Sequence, residues 1–374
     1  MASQEQLRDE LMMKARQQQM QIMTRKQQAG TVTSELEDRT SQPSQRLQPR
    51  SMAMGSHFDD LPILKAEDLE HRRPEPCSFS LFDSACKDGP LSTIPEIVDS
   101  EARTPAFLHR GLLIALRAGN IEAARYLLSN GAPIVRQTPD FILKAPIHHQ
   151  IALFELFTAH GWTPNTPGLY GATLLPKVIS DLPVLSWFLA HGANPNLGQQ
   201  KSFHDRHGLS DTDSCIALET AAAHGSVETV QMLLDAGALI QNGAPLHRAA
   251  GTCPPGANPH AGRVKPSREF DVSRIPVMRL LVDNGANVNH RVVSRHMEPQ
   301  YAIVHAVMAG AMERVKWLLK QGADPFAKGA FGSAADYASF WGEEMEKVIE
   351  EGLAARDERR LWSPSTTFGS DFIV

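Results

Sequence analysis

Thr220-Ala-Ala-Ala-His-Gly-Ser-Val-Glu-Thr-Val-Gln-Met-Leu-Leu-Asp-Ala-Gly-Ala238 joins a short Ala-rich segment, a glycine turn and a longer amphipathic segment that ends in Leu-Leu and Gly-Ala. The pattern recurs upstream as Ile114-Ala-Leu-Arg-Ala-Gly-Asn-Ile-Glu-Ala-Ala-Arg-Tyr-Leu-Leu-Ser-Asn-Gly-Ala132. It recurs downstream as His305-Ala-Val-Met-Ala-Gly-Ala-Met-Glu-Arg-Val-Lys-Trp-Leu-Leu-Lys-Gln-Gly-Ala323. In all three, the turn and terminal glycines are 12 residues apart: 119 and 131, 225 and 237, 310 and 322. That separation accommodates one helix of about three turns between two glycine-type stops.

Extending this register outward gives eight units. Their first helices carry a small residue at Ala85, Ala115, Ala145, Ala221, Ala249, Ala306 and Ala338, with Lys177 in its place in one unit. Terminal glycines fall at Gly131, Gly161, Gly192, Gly237, Gly285 and Gly322, at spacings of 30, 31, 45, 48 and 37. The second helices place apolar side chains at helical intervals, as in Ile121, Ala124, Leu127 and Leu128, or Leu153, Leu156 and Phe157. Trp187, Phe188 and Leu189 serve another unit, and Val315, Leu318 and Leu319 a later one. A lone helical hairpin cannot bury both sides of such helices, so the units must stack. Length alone suggests two or three domains; the period replaces them with one all-α solenoid. Two long spacings mark insertions near 197–213 and 253–273, the second read as an irregular loop of tolerated length.

Gly243-Ala-Pro-Leu-His-Arg-Ala-Ala250 resembles the helix-opening Thr-Pro-Leu-His-x-Ala motif of ankyrin-repeat proteins, with Ala244 in place of the Thr. Gly192-Ala-Asn-Pro-Asn196, Gly285-Ala-Asn-Val-Asn289 and Gly322-Ala-Asp-Pro325 resemble that family's turn into a β-hairpin finger. The resemblance covers about residues 80–352 and implies an ankyrin-type helical repeat solenoid of about eight units. The terminal units are the least typical, as caps should be. Ala145-Pro-Ile-His148 imitates the opening motif, but the register from Gly161 places His148 and His149 in the turn between helices.

Residues 1–75 are a different polymer. No aromatic residue precedes Phe58, and 11 Gln crowd the first 50 positions. With so little to bury, this leader cannot offset an ordering cost of about 1–2 kcal/mol per residue, and it reads as disordered. Leu7, Leu11, Ala15 and Ile22 lie near one face and favour a transient helix, whereas Lys14, Gln18 and Gln21 exclude a coiled coil. Ser41–Ser51 reads as an extended linker, and 356–374 as a short polar tail. No apolar run is long enough to cross a membrane, and the first residues lack a secretory signal. The four cysteines have neither metal-site nor disulfide-framework spacing, which points to reduced thiols in the cytoplasm or nucleus.

The chain has a net charge of −5, and the leader balances 11 basic against 11 acidic residues within 1–73. With no basic region or zinc module, a nucleic-acid partner is not expected. Neither a phosphate loop, nor a Gly-x-Ser-x-Gly elbow, nor His-Glu-x-x-His is present. His247 and Cys253 lie six apart across a glycine turn and read as routine repeat positions rather than base and nucleophile. The remaining chemical cluster is His204, Asp205, His207, Asp211, Asp213 and Cys215, an enzyme or metalloprotein alternative confined to 197–215. No cofactor, no catalytic residue and no metal ligand is assigned.

The resemblance implies instead a non-enzymatic scaffold or adaptor, monomeric on its own, that binds another protein on its concave face of fingers and first helices. The resemblance also implies that the residue just before the first-helix Ala points toward that surface, which here means Ile114, Lys144, Thr220, Arg248, His305 and Tyr337. The finger 289–300 adds Arg291, Arg295 and His296, and the 197–213 insertion adds Lys201 and Arg206. The surface leans basic although the chain is acidic. The expected partner is therefore an acidic segment, held by Lys144, Arg248, Arg291, Arg295, His305 and Tyr337.

Overall fold

Eight two-part units follow one another in the computed structural model, which describes residues 78–100, 103–259, 262–293, 298–330 and 332–362. All of them belong to one of the two units into which the chain divides, Met54–Val374. The leader and linker expected over 1–75, Arg295, His296 and residues 363–374 lie outside the described residues.

Unit 1 pairs α1 (Ser78–Lys87) with α2 (Thr93–Asp99), and unit 2 pairs α3 (Pro105–Ala118) with α4 (Ile121–Ser129). Unit 3 has only a 3-10 helix, Thr138–Lys144, before α5 (Ile147–Ala159). Unit 4 likewise has two short 3-10 turns, Leu169–Gly171 and Leu175–Lys177, before α6 (Leu182–Ala190). Unit 5 pairs α7 (Ile216–His224) with α8 (Val227–Asp235). Unit 6 runs from α9 (Pro245–Gly251) through α10 (Arg268–Ser273) to α11 (Ile275–Asp283). Unit 7 is α12 (Ala302–Met308) with α13 (Met312–Lys320), and unit 8 is α14 (Ala334–Trp341) with α15 (Glu343–Trp362).

The register is that of the sequence. Ala85, Ala115, Ala145, Ala221, Ala249, Ala306 and Ala338 are all buried, and the six terminal glycines all adopt left-handed backbone, with φ between 79° and 96°. Only glycine takes that conformation without strain, so each second helix ends where its glycine stands. Each second helix tends to start on a side chain that caps its first free N–H groups. Asn120 accepts from Ala123 N, Asp181 from Val184 N, and Ser226 from Thr229 N. First helices stack on first helices, α9 lying between α7 and α12 and α12 meeting α14, while α4 meets α5 and α8 meets α11. One continuous apolar core, from Phe82 to Ile349, results.

Four expectations are corrected. In units 3 and 4 the first helix is absent because proline interrupts it. Pro146 follows Ala145 directly and holds it extended (ψ 159°), and Pro176 sits inside the second 3-10 turn of unit 4. Phe154, Phe157, Trp162, Trp187 and Phe188 pack there as an aromatic cluster, with ring centroids 4.9 Å apart for Phe154 and Phe188 and 5.4 Å for Phe154 and Trp162. His148 and His149 are not in a turn: α5 starts at Ile147, so they open that helix. The last helix passes the expected end of the array at 352 and continues to Trp362, through the start of the expected tail.

The fourth correction concerns 253–273, whose end is a helix rather than irregular chain. Helix α10 carries Asp271, 3% exposed, into the next unit. Its carboxylate accepts from Glu313 N (2.7 Å) and Arg314 N (3.3 Å), so it caps α13, whose own N-cap position, Ala311, has no side chain able to do so. It also pairs with the guanidinium of the fully buried Arg314 at 2.8 Å. Arg314 in turn donates to the carbonyls of Ala249, Ala250 and Thr252, at the C-terminal end of α9. Burial lowers the guanidinium's pKa, and the Asp271 bond opposes that shift. Arg274 repeats the device one unit earlier, donating to Ala222 O and Gly225 O at the end of α7. A cation at a helix C-terminus meets the negative end of the helix dipole.

Candidate recognition face

The fingers are not β-hairpins. Among the described residues only isolated bridges occur, Gly198 with Asp211 and Gly329 with Gly332. The fingers are joined instead by asparagines placed four residues after a terminal glycine. Asn165 donates to Gly192 O (2.7 Å) and accepts from Asn194 N (2.8 Å). Asn196 makes the same pair of bonds with Gly237 O and Leu239 N, both 2.9 Å. Asn289 does so with Gly322 O (2.9 Å) and Asp324 N (2.8 Å). A primary amide suits this task because it offers a donor and an acceptor on one short arm.

Buried first-helix histidines provide a second fastening. His109 Nε2 is hydrogen-bonded to Thr138 Oγ1 at 2.9 Å. His247 Nε2 donates to His290 O and Gln300 O, both at 3.1 Å, and so closes the base of the long finger. This histidine therefore binds forward to the next finger, while its Nδ1 has no hydrogen-bond partner among the described residues. Burial lowers both pKa values to about 4, which keeps the rings neutral. His305, half-buried, bonds to Pro299 O at 2.9 Å.

The proposed contact residues therefore differ in what they have free to offer. Arg248 is exposed but stands between two carboxylates, 3.8 Å from Glu219 and 3.8 Å from Glu298. Arg291 Nε donates to Gln300 Oε1 at 3.1 Å. Tyr337 is half-buried, its ring 6.1 Å from that of Phe340. Lys144 is exposed, and its Nζ lies 4.5 Å from the centroid of the Phe141 ring. Arg117, which the sequence reading passed over, lies 5.4 Å from the centroid of the same ring. Neither cation makes an ion pair among the described residues.

Beside them the missing first helices leave a groove of about 640 Å³. Buried Trp162 and Leu174 lie beneath it, and Arg136, Phe141, Tyr170 and Lys177 line its sides. Lys177 pairs with Asp140 there. The 197–213 insertion folds over one edge: Tyr170 donates its N–H to Arg206 O at 2.8 Å, and Gln200 N to Tyr170 O at 2.9 Å. Arg136 ties the insertion down through the carbonyls of His207 and Gly208. At the lip Tyr170 and Phe203 meet edge to face at 5.7 Å, both in left-handed backbone (φ 54° and 51°). Phe203 and Leu209 are each more than half exposed. The prolines at 139, 146 and 176 were the sequence signal for this groove; the insertion's fold had none.

The insertion's polar residues are engaged locally. Lys201 pairs with Asp213, Asp211 accepts from Lys201 N, Asp205 accepts from His207 N, and His204 Nδ1 bonds to Ser202 Oγ. Among the described residues, no group of three or more His, Cys, Asp or Glu is placed to hold a metal ion. Burial pushes the Cys86 and Cys215 thiols up to about 12, and raises that of Cys253 despite Arg314 nearby. Cys86, Cys215 and Cys253 are free thiols. No helix among the described residues is long and apolar enough to cross a membrane.

Solved structures resemble this stack of helix pairs. Two of them are ankyrin repeat domains. The first is that of Bcl-3, a member of the IkappaB protein family, with 21% identity over 68% of this chain and 87% of that one, at a TM-score of 0.37. The second is the human ASB11 ankyrin repeat domain, with 18% identity over 75% of this chain and 98% of that one, at a TM-score of 0.36. No family model matches the sequence, and no curated protein matches it either.

Proposed function

We propose that the chain is a non-enzymatic scaffold or adaptor of ankyrin type that holds another protein across its fingers and first helices. The observation that carries this reading is the alternation along that face. Each of Lys144, Thr220, Arg248, His305 and Tyr337 is at least partly open to solvent, while the alanine that follows it is buried. On this reading the stack supplies the frame, and in these five units the residue before the buried alanine is the one offered to a partner. Arg291, and Arg295 outside the described residues, extend the basic lean toward an acidic partner segment; arginine and tyrosine are common anchors of such contacts.

Affinity capture from cell extract with the full chain, quantified by mass spectrometry, tests the reading. The comparison chain carries Lys144→Glu, Arg248→Glu, Arg291→Glu and Arg295→Glu, and a second carries Glu228→Lys on the outer helix α8. The four-fold variant should lose proteins that the other two chains retain. Equal retention by all three chains would refute recognition through this face.

A further inference from the structure

The first helices of units 3 and 4 are the only ones replaced by 3-10 turns among the described units, and the resulting groove is flanked on one side by charge and on the other by exposed aromatic surface. We infer that this groove takes an extended acidic segment that also carries a large apolar side chain, its carboxylates set on Lys144 and Arg117 and its apolar group on Tyr170 and Phe203. The inference rests on the recognition role proposed above and gives it one seat and one chemistry.

Charge complementarity is the first argument. Lys144 and Arg117 bracket one aromatic ring, at 4.5 and 5.4 Å from its centroid, with no carboxylate paired to either among the described residues. A cation near a ring gains roughly 0.5–1 kcal/mol at an exposed site. Two like charges sharing one ring also repel each other, and a carboxylate placed between them relieves that repulsion. The late part of the face is different, because Arg248 already has Glu219 and Glu298 beside it. An acidic ligand there must displace two carboxylates of the chain itself; in the groove it displaces none from Lys144 or Arg117.

Shape is the second argument. First-helix turns are replaced over two consecutive units, and the recess there, about 640 Å³, exceeds those of about 170 and 190 Å³ beside the later fingers. Its outer lip is held rather than loose: Arg136, Gln200 and Tyr170 tie the insertion to the frame through backbone groups. That anchored lip nevertheless exposes Phe203 and Leu209 to water, 57% and 59% respectively. Two non-glycine residues in left-handed backbone, Tyr170 and Phe203, form the aromatic pair, and strain of this kind persists only where the surroundings enforce it.

The probe is a fluorescein-labelled peptide, Glu-Glu-Phe-Glu-Glu-Leu-Glu-Glu, with its all-Gln counterpart as control; binding to the full chain is read by fluorescence anisotropy. The acidic probe should bind, weaken as salt rises, and lose about tenfold or more in affinity with Arg117→Glu/Lys144→Glu, since two attractions become repulsions. Phe203→Ala should cost a few-fold, and Arg279→Glu, exposed on the outer helix α11, should leave the affinity unchanged. A carbodiimide joins probe carboxylates to lysine amines with loss of water, and the resulting amides on the unaltered chain should map to Lys144 and Lys177. This second readout does not depend on any variant folding. No binding of the acidic probe, equal binding of both peptides, loss with Arg248→Glu but not with Arg117→Glu/Lys144→Glu, or cross-links concentrated on other lysines would each overturn the seat. If cell partners are still captured through the face while the probe fails, the seat is wrong and the recognition role stands. If capture fails as well, both fall.

Discussion

Replacing Asp271 with Ala should be among the most damaging single changes in the array, although the residue lies in an insertion. Its carboxylate accepts two backbone N–H groups at the start of α13 and pairs with a guanidinium that is 0% exposed. Removing one partner of a buried ion pair costs about 3–5 kcal/mol. The carbonyls of Ala249, Ala250 and Thr252 still receive Arg314 Nη1, which keeps the ion-pair loss near the lower end, and the lost cap adds about 1 kcal/mol. The sum is about 4 kcal/mol. Arg314→Met should cost about as much, since it leaves a buried carboxylate and three unbonded carbonyls. In the double variant neither charge is stranded, so the loss should fall well below the sum of the singles, with a coupling of about 2–3 kcal/mol. Because a stacked array can unfold unit by unit, native-state hydrogen exchange of the α9 and α13 amides is the assay, supported by urea melts followed by circular dichroism. A loss under about 1 kcal/mol for Asp271→Ala, or strict additivity, would refute the reasoning.

The neutral buried histidines make the array acid-sensitive. His109 and His247 titrate near 4 in the fold against 6.5 when exposed, so the unfolded chain takes up protons first, and stability should fall between about pH 6.5 and pH 4 by about 3 kcal/mol for each. Urea midpoints measured across that range check the slope, which His247→Gln should reduce. Asn196→Ala removes the bonds to Gly237 O and Leu239 N and should cost about 1–2 kcal/mol, seen as a lower melting temperature; Asn196→Asp, which keeps the acceptor alone, should fall between. Gly237→Ala meets no atom within 4 Å, so its cost of about 1–2 kcal/mol comes from the left-handed backbone alone, and Gly237→Asn should cost less in the same melt.

The frame was legible in the sequence because its signals are local and repeated. Small residues at the first-helix contact, glycines at helix ends and Leu-Leu pairs report steric needs that arise anew in every unit, so each copy corroborates the rest. The second helices followed for the same reason: Leu127, Leu153, Phe188 and Leu318 are all buried where the helical interval put them. What the sequence concealed depends on pairs far apart in the chain. Asp271 and Arg314 are separated by 43 positions, and nothing in the composition of 253–273 marks one acid among several as a cap for a later helix. Arg248 looked available because Glu219 and Glu298 approach it only in the stack. Pro146 did carry a local message, that Ala145 is extended, but the period outweighed it and the unit was read as having an ordinary first helix.

Two of the fastenings between units differ in what they demand of a neighbour. An asparagine such as Asn165 or Asn196 bonds only to the main chain of the following unit, and so accepts any neighbour whose backbone follows the same path. The Asp271–Arg314 bond requires one named side chain in each of two adjacent units. The asparagine bonds by themselves therefore need no compensating substitution when a unit is exchanged, whereas side-chain pairs such as His109 with Thr138 and Lys177 with Asp140 tie particular early neighbours together. Units 6 and 7 form an indivisible pair that must be inherited together, and a recombination point between them leaves a guanidinium in the core without its counter-charge.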